Sequence, residues 1–222
     1  MRVISYGGCR VDVGLCNLRC PYCVHLSEET EEVDVERIAR ALKGCRHVYV
    51  GGAEPTVHGD LVDLLRLLKE NGSEVTLKTN GLLPRRVEET LPFVDRYVFE
   101  LKGDFDDVRS VALLSGLSEE RARRYVESLM KSIEIARSAG KKIRIWFRAI
   151  PEYIDENRFR KMMGRIGKVD EVLVYQFLSK PEWDKPFDDA EMPSYEFVRR
   201  LGEIAREYAD RVIMVGERRE EL

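Results

Sequence analysis

Cys16-Asn17-Leu18-Arg19-Cys20-Pro21-Tyr22-Cys23 places three of the chain's five cysteines within eight residues, at spacings of four and three. Three thiolates held this closely on one loop can face a single point, and cysteine thiolates are the usual ligands of iron-sulfur clusters. The count of three is informative. A closed structural zinc site takes four ligands, whereas a 4Fe-4S cluster held by three cysteines keeps one iron open to a further ligand. Zinc stays as the rival, with Cys9 or His25 as a fourth ligand, although zinc-binding chains usually show paired CxxC units and only one is present here.

Outward from this stretch, apolar runs of strand type alternate with amphipathic helical patterns, the signature of βαβ units and a parallel sheet. Val11 to Leu15 is the first predicted strand and leads into the cysteine loop. Asp34 caps a helix with Val35, Ile38, Ala39 and Leu42 on one face, and Gly44 stops it. Further strands are predicted at His47 to Val50, Glu74 to Lys78, Arg96 to Leu101, Lys142 to Ile150 (ended by Pro151) and Glu171 to Leu178, with helices over 60–70, after Pro84, over 118–138 and over 157–166. Pro193-Ser194 opens a last helix, Val212 to Val215 adds a terminal strand, and the charged tail from Glu217 to Leu222 is expected to fray. Six strand-helix units give an α/β fold, a partial (βα)6 TIM-type barrel with parallel strands, short of the eight that close one. A single domain over residues 1–222 is expected.

The 222 residues are 44% hydrophobic and 35% charged, enough for one sizeable core. There is no 18-residue apolar run, and the N-terminus has neither a signal region nor a cleavage pattern, so a cytoplasmic protein without a membrane span is expected. Net charge is -3 with acidic and basic residues interspersed, which leaves no electrostatic footprint for nucleic acid. Abundant charge beside a single glutamine, Gln176, is the bias of ion-pair networks at high temperature. Clustered cysteines in a cytoplasmic chain suit metal over disulfides, and Cys9 and Cys45, which lack a partner motif, are expected as ordinary buried thiols.

Sheets and barrels of this class bind ligands at the carboxyl ends of their strands, and the polar motifs fall there. Gly51-Gly52-Ala53-Glu54 follows the second predicted strand, Thr79-Asn80-Gly81 the third, Glu100 and Lys102 end the fourth, and Arg148 ends the fifth. Gly51 and Gly52 let backbone approach a ligand closely, and Glu54 sets a carboxylate beside them, suited to a cationic ammonium. Arg148 sits in the apolar run Trp146 to Pro151, where a buried guanidinium must find acceptor partners.

CxxxCxxC with an aromatic residue, Tyr22, before the last cysteine resembles the signature of the radical S-adenosylmethionine (SAM) enzymes. The resemblance implies a 4Fe-4S cluster on Cys16, Cys20 and Cys23 whose open iron is chelated by SAM. One electron, from a donor such as ferredoxin or flavodoxin, then cleaves SAM to methionine and a 5'-deoxyadenosyl radical that abstracts a substrate hydrogen. Gly51, Gly52 and Glu54 resemble the family's GGE motif for the methionine amino group, with Ala53 intervening. Thr79-Asn80-Gly81 is similar to a motif of the activating enzymes for glycyl radical enzymes, including pyruvate formate-lyase and anaerobic ribonucleotide reductase, which lies by the SAM carboxylate and ribose. Phe99-Glu100-Leu101-Lys102 looks like their aspartate-leucine-lysine stretch, placing Glu100 toward the ribose, and Arg148 resembles their strand-five arginine. Tyr22 joins these as a cofactor-binding residue.

Lys78 stands where those activating enzymes often carry an aspartate that helps hold a cation. Pointing inward, its ammonium would replace that cation; strand alternation sends Lys78 and Thr79 to opposite faces and leaves a solvated lysine as the alternative. The stretch from Ser179 to Pro186 is a candidate lid. Three functions stay open: a radical SAM activase of a glycyl radical enzyme, a radical SAM enzyme acting on a small molecule or nucleotide in the manner of 7-carboxy-7-deazaguanine synthase, and a non-enzymatic metal-binding protein.

Overall fold

The structure, a computed structural model, describes residues 1–150, 152–180 and 187–222. Pro151 and most of the candidate lid, residues 181–186, lie outside the described residues. The chain forms two compact units, one of Met1–Asn17, Val24–Phe99 and Ser128–Lys142, the other of Leu18–Cys23, Glu100–Glu127 and Ile143–Leu222. Cys16 therefore belongs to the first unit, and Cys20 and Cys23 to the second.

The first unit opens with a hairpin, β1 (Arg2–Gly7) antiparallel to β2 (Arg10–Val13), and the two-residue β3 (Glu31–Glu32) pairs with β1 on its outer side. Then come α1 (Val35–Ala41), β4 (His47–Gly52), α2 (Leu61–Glu70), β5 (Glu74–Thr79), α3 (Pro84–Thr90) and β6 (Arg96–Glu100). β2, β4, β5 and β6 pair in parallel, in that order. The helical stripes behave as their spacing predicts, with Ile38 of α1 and Leu61, Leu64, Leu65 and Leu68 of α2 wholly buried. Asp34 does stand in extended backbone at the start of α1, but its side chain makes no capping bond.

The sheet thus begins earlier than Val11. β1 escapes a reading of apolar pattern because, of its six residues, only Val3 is buried. β2 in turn stops at Val13, since Leu15 takes a left-handed φ of 61° that no strand accommodates.

Cys9 and Cys45 correct a second expectation: they form a disulfide, with Cα atoms 5.5 Å apart. Cys9 lies in the hairpin turn before β2 and Cys45 just before β4, and the parallel register of those strands, Arg10 against Tyr49, brings both run-ups to one end. Thirty-six residues of sequence separation conceal this. Closing a loop of that length stabilises a fold by on the order of 3 kcal/mol, chiefly by restricting the unfolded chain. Cys45→Ser should lower unfolding stability by about that amount in urea titration; equal midpoints for oxidised and reduced parent protein would show that the bond carries no such weight.

The second unit holds α4 (Val108–Ser115), the start of α5 (Glu119–Ser138), β7 (Lys142–Ala149), α6 (Glu156–Ile166), β8 (Val169–Gln176), α7 (Tyr195–Ala205), β9 (Ala209–Val215) and β10 (Arg219–Glu221). Asp107, Asp155 and Ser194 cap α4, α6 and α7 by accepting backbone N–H groups. β7, β8 and β9 pair in parallel. Strict alternation in β7 buries Ile143, Ile145, Phe147 and Ala149 and turns Arg144, Trp146 and Arg148 to the other face.

The tail is the third correction. Arg219–Glu221 folds back antiparallel on β9, and Arg211 grips Glu221 through two bonds of 2.6 and 2.7 Å. Opposite charges met across strands hold a segment whose composition reads as solvated. Among the described residues no helix is long and apolar enough to cross a membrane.

Candidate functional site

In the first unit the site is built at the ends of β2, β4 and β5. Gly52 pairs with Val13 at a left-handed φ of 88°, and a Cβ there would stand 2.5 Å from the Val13 nitrogen. Only glycine allows this approach. Past it, the Ala53 N–H donates to the Val13 carbonyl at 2.8 Å and the Glu54 N–H to the Leu15 carbonyl at 3.0 Å, which ties the turn to the residue before Cys16. His58, assigned nothing from sequence, is buried and donates through Nε2 to the Gly14 carbonyl at 2.8 Å, a further brace on the same approach.

Glu54 is 1% exposed and gathers four donors. Oε1 accepts from the Thr56 N–H at 3.0 Å, the Thr56 hydroxyl at 2.6 Å and the Thr79 hydroxyl at 2.8 Å, while Oε2 accepts from the Asn80 N–H at 2.6 Å. Burial pushes its carboxyl up, against the hydrogen bonds from Thr56, Asn80 and Thr79. Every one of those partners is a donor, so the site is shaped for the ionised form. One lone-pair direction of Oε2 is left by this count.

Thr79 and Asn80 are thereby fixed. The Thr79 oxygen accepts the Gly81 N–H at 3.1 Å, and Asn80 Oδ1 accepts the Leu82 N–H at 2.9 Å. Asn80 Nδ2 is aimed at Asn17 Oδ1, 2.7 Å away, and lies 4.0 Å from Cys16 Sγ. Lys78 is buried rather than solvated, with its ammonium 3.5 Å from the Gly52 carbonyl oxygen. β5 is covered on both faces from Leu77 onward, so strand alternation does not carry Lys78 to water.

The second unit carries a cationic, aromatic group of residues. Tyr22 is buried, edge-on to Phe177 and Phe187 with ring centroids 6.2 and 5.3 Å apart. Lys102 Nζ lies 5.3 Å from the Tyr22 centroid, and the Arg148 guanidinium carbon lies 5.2 Å from the centroids of both Tyr22 and Tyr175. Glu100 is ion-paired to Lys102, and its carbonyl accepts the Tyr125 hydroxyl at 3.2 Å. Arg148 Nε is buried without an acceptor among the described residues. Burial pushes the Cys20 thiol up, with Lys102 and Arg148 opposing. Burial also works against the Lys102 ammonium, yet the negative charges of Cys20 and Glu100 outweigh it and hold that group well above the ordinary lysine range.

The predicted residues therefore fall into two groups. Cys16, Gly51, Gly52, Glu54, Lys78, Thr79 and Asn80 lie in the first unit, and Cys20, Tyr22, Cys23, Glu100 and Arg148 in the second. Cys16, Cys20 and Cys23 form no disulfide. Among the described residues no three His, Cys, Asp or Glu side chains are grouped as holders of a single metal ion. The donor set fits an iron-sulfur cluster: thiols that are in no disulfide, an amide N–H directed to the Cys16 side, and cations beside Cys20 to balance thiolate charge.

Residues 13–151 match the radical SAM superfamily. The chain is 26% identical over 207 residues to a Methanocaldococcus jannaschii protein provisionally named a glycyl-radical enzyme activating enzyme, covering 90% of this chain and 85% of that one. It is 34% identical over 85 residues to 7-carboxy-7-deazaguanine synthase of Aquifex aeolicus, 36% of this chain and 38% of that protein. Among solved structures, SuiB of Streptococcus suis bound to SAM superposes with a TM-score of 0.69 at 20% identity, over 91% of this chain. The chain spans about half the length of SuiB, 48%. That likeness shows a shared fold, the α/β arrangement of parallel strands that makes a partial TIM-type barrel.

Proposed function

The chain belongs to the radical SAM superfamily, and from that membership we propose that it is an activating enzyme that takes a hydrogen atom from a glycine of a partner protein. The cofactors are those of the family, a 4Fe-4S cluster and SAM. Bound together they supply a 5'-deoxyadenosyl radical, produced at the expense of one electron from a ferredoxin or flavodoxin. The observation that carries the reading is the match to the provisional activating enzyme over 90% of this chain.

The protein's own part is to hold, orient and screen. Cys16, Cys20 and Cys23 hold the cluster. The Gly51–Gly52 turn and the remaining acceptor direction of Glu54 take the methionine ammonium of SAM, and Thr79 and Asn80, bolted to that carboxylate, set the neighbouring wall. Glu100, with Lys102 fixing its orientation, lies along the ribose, and Arg148 between Tyr22 and Tyr175 offers an unused N–H to an anionic group. The tyrosine and phenylalanine rings about Tyr22 exclude water from this side.

Lys78 supplies a fixed positive charge where a cation is otherwise recruited. An ammonium about 4 Å from a carboxylate contributes on the order of 1 to 4 kcal/mol before desolvation. Lys78→Met should weaken SAM binding at least about tenfold in calorimetry of reconstituted protein, whatever salt is present. Unchanged affinity would remove Lys78 from the binding site.

The short match to 7-carboxy-7-deazaguanine synthase favours a second reading, a small-molecule or nucleotide substrate. The test is to mix reduced, reconstituted protein and SAM with candidate glycyl radical enzymes and record the electron paramagnetic resonance spectrum. A glycyl radical doublet supports the activase. Release of 5'-deoxyadenosine dependent on a small molecule, with no doublet from any candidate, overturns it in favour of the second reading.

A further inference from the structure

We infer that Asn17 and Asn80 form an amide pair that donates N–H groups to the sulfur of the Cys16 corner and so raises the reduction potential of the cluster, with Glu54 as the positioning residue that aims Asn80. This rests on the reading of Cys16, Cys20 and Cys23 as cluster ligands.

Two amides stand at Cys16. Asn80 Nδ2 points at Cys16 Sγ from 4.0 Å and donates to Asn17 Oδ1 at 2.7 Å, and as a thiol Cys16 itself faces Asn17 Oδ1 at 3.9 Å, a contact that a cluster-bound thiolate gives up. Asn17 spends its oxygen on Asn80, which leaves its Nδ2 group as donor, and that nitrogen is buried with no acceptor among the described residues. A buried amide N–H without an acceptor is costly, and one lying next in sequence to a cluster cysteine has inorganic sulfide and thiolate as its natural acceptors. The second N–H of Asn80 is free to serve the same sulfur.

Asn80 cannot turn away from this task. Its Oδ1 accepts the Leu82 N–H at 2.9 Å, which fixes the plane of the amide, and its backbone N–H is held by Glu54 Oε2 at 2.6 Å. Glu54 is itself held by Thr56 and Thr79. Its own backbone N–H donates to the carbonyl of Leu15, the residue that precedes Cys16. One carboxylate group thus locks the donor, and its residue's main chain locks the approach to the acceptor. N–H groups aimed at sulfur stabilise the more negative, reduced state of a cluster, and their removal lowers its potential.

The experiment is a redox titration of anaerobically reconstituted protein without SAM, on the parent, Asn17→Leu and Asn80→Leu, each first assayed for iron and sulfide. At the poise where the parent is half reduced, loss of either amide should move the ratio of oxidised to reduced cluster about tenfold toward oxidised, which is 59 mV for one electron. In a Glu54→Gln background, where the removed negative charge is common to both arms, Asn80→Leu should shift the ratio by much less than it does in the parent, which separates aiming from general support. Leucine variants with full iron and sulfide whose ratio stays within about 1.5-fold of the parent would overturn the inference. Should a leucine variant hold no iron, Asn17→Ala and Asn80→Ala remove the donor without adding charge, and must shift the ratio in the same direction for the inference to stand. A parent that takes up no 4Fe-4S cluster would instead defeat the underlying reading.

Discussion

Alanine in place of any one of Cys16, Cys20 or Cys23 should leave the protein unable to hold a cluster, whereas the parent reconstituted anaerobically takes up about four irons and four sulfides per chain. The expectation follows from counting. Of five cysteines, Cys9 and Cys45 are joined in a disulfide, and the three outside it are those of the CxxxCxxC stretch, so no spare thiol can substitute for a lost ligand. The internal control is Cys45→Ser, which removes a cysteine without removing a ligand and should keep its iron and sulfide while losing stability. The loss should appear twice, as absent charge-transfer absorbance and as absent SAM-dependent 5'-deoxyadenosine. Purified parent protein that retains one zinc and no sulfide would overturn the assignment.

Elements were legible in the sequence where they are buried and regular. The α2 stripe of Leu61, Leu64, Leu65 and Leu68 and the alternation of Ile143, Ile145 and Phe147 in β7 each announce their partner layer, because burial on one face leaves a period of its own. β1 and β10 were not legible. Each lies mostly in solvent, and each is held by pairing to a strand already in place and not by an apolar face of its own. α4 also passed unread; its start rests on Asp107, within a run of acidic residues that looks like loop.

The site divides along the same line. The cysteine spacing is local, so eight residues suffice to read it. The role of Glu54 is not local: its bonds to Thr79 and Asn80 cross 25 and 26 residues, and nothing in Gly-Gly-Ala-Glu indicates that the carboxylate would bind two loops together. Lys78 shows the limit of alternation as an argument, since a parallel strand covered on both faces buries both sets of side chains. The Cys9–Cys45 bond depends on the β2–β4 register, which only the folded sheet discloses.

Gly52→Val should cost about 3 to 5 kcal/mol of stability, enough to bring a domain of ordinary stability close to unfolding. Two separate penalties add there. A β-branched residue must adopt the left-handed φ of 88°, which costs about 1 to 2 kcal/mol by itself. Its Cβ must also stand 2.5 Å from the Val13 nitrogen and 2.6 Å from the Val13 oxygen, and these are backbone atoms inside a paired strand that cannot rotate aside. Gly72 separates the two penalties. It too is left-handed, at 81°, but a Cβ there meets nothing within 4 Å, so Gly72→Val should lose only the conformational part, about 1 to 2 kcal/mol. Urea titration of both variants with the disulfide intact reads the difference directly. If they lose the same stability, the β2–β4 pair yields at its end, and the close approach of Gly52 to Val13 is not what holds the turn against the approach to Cys16.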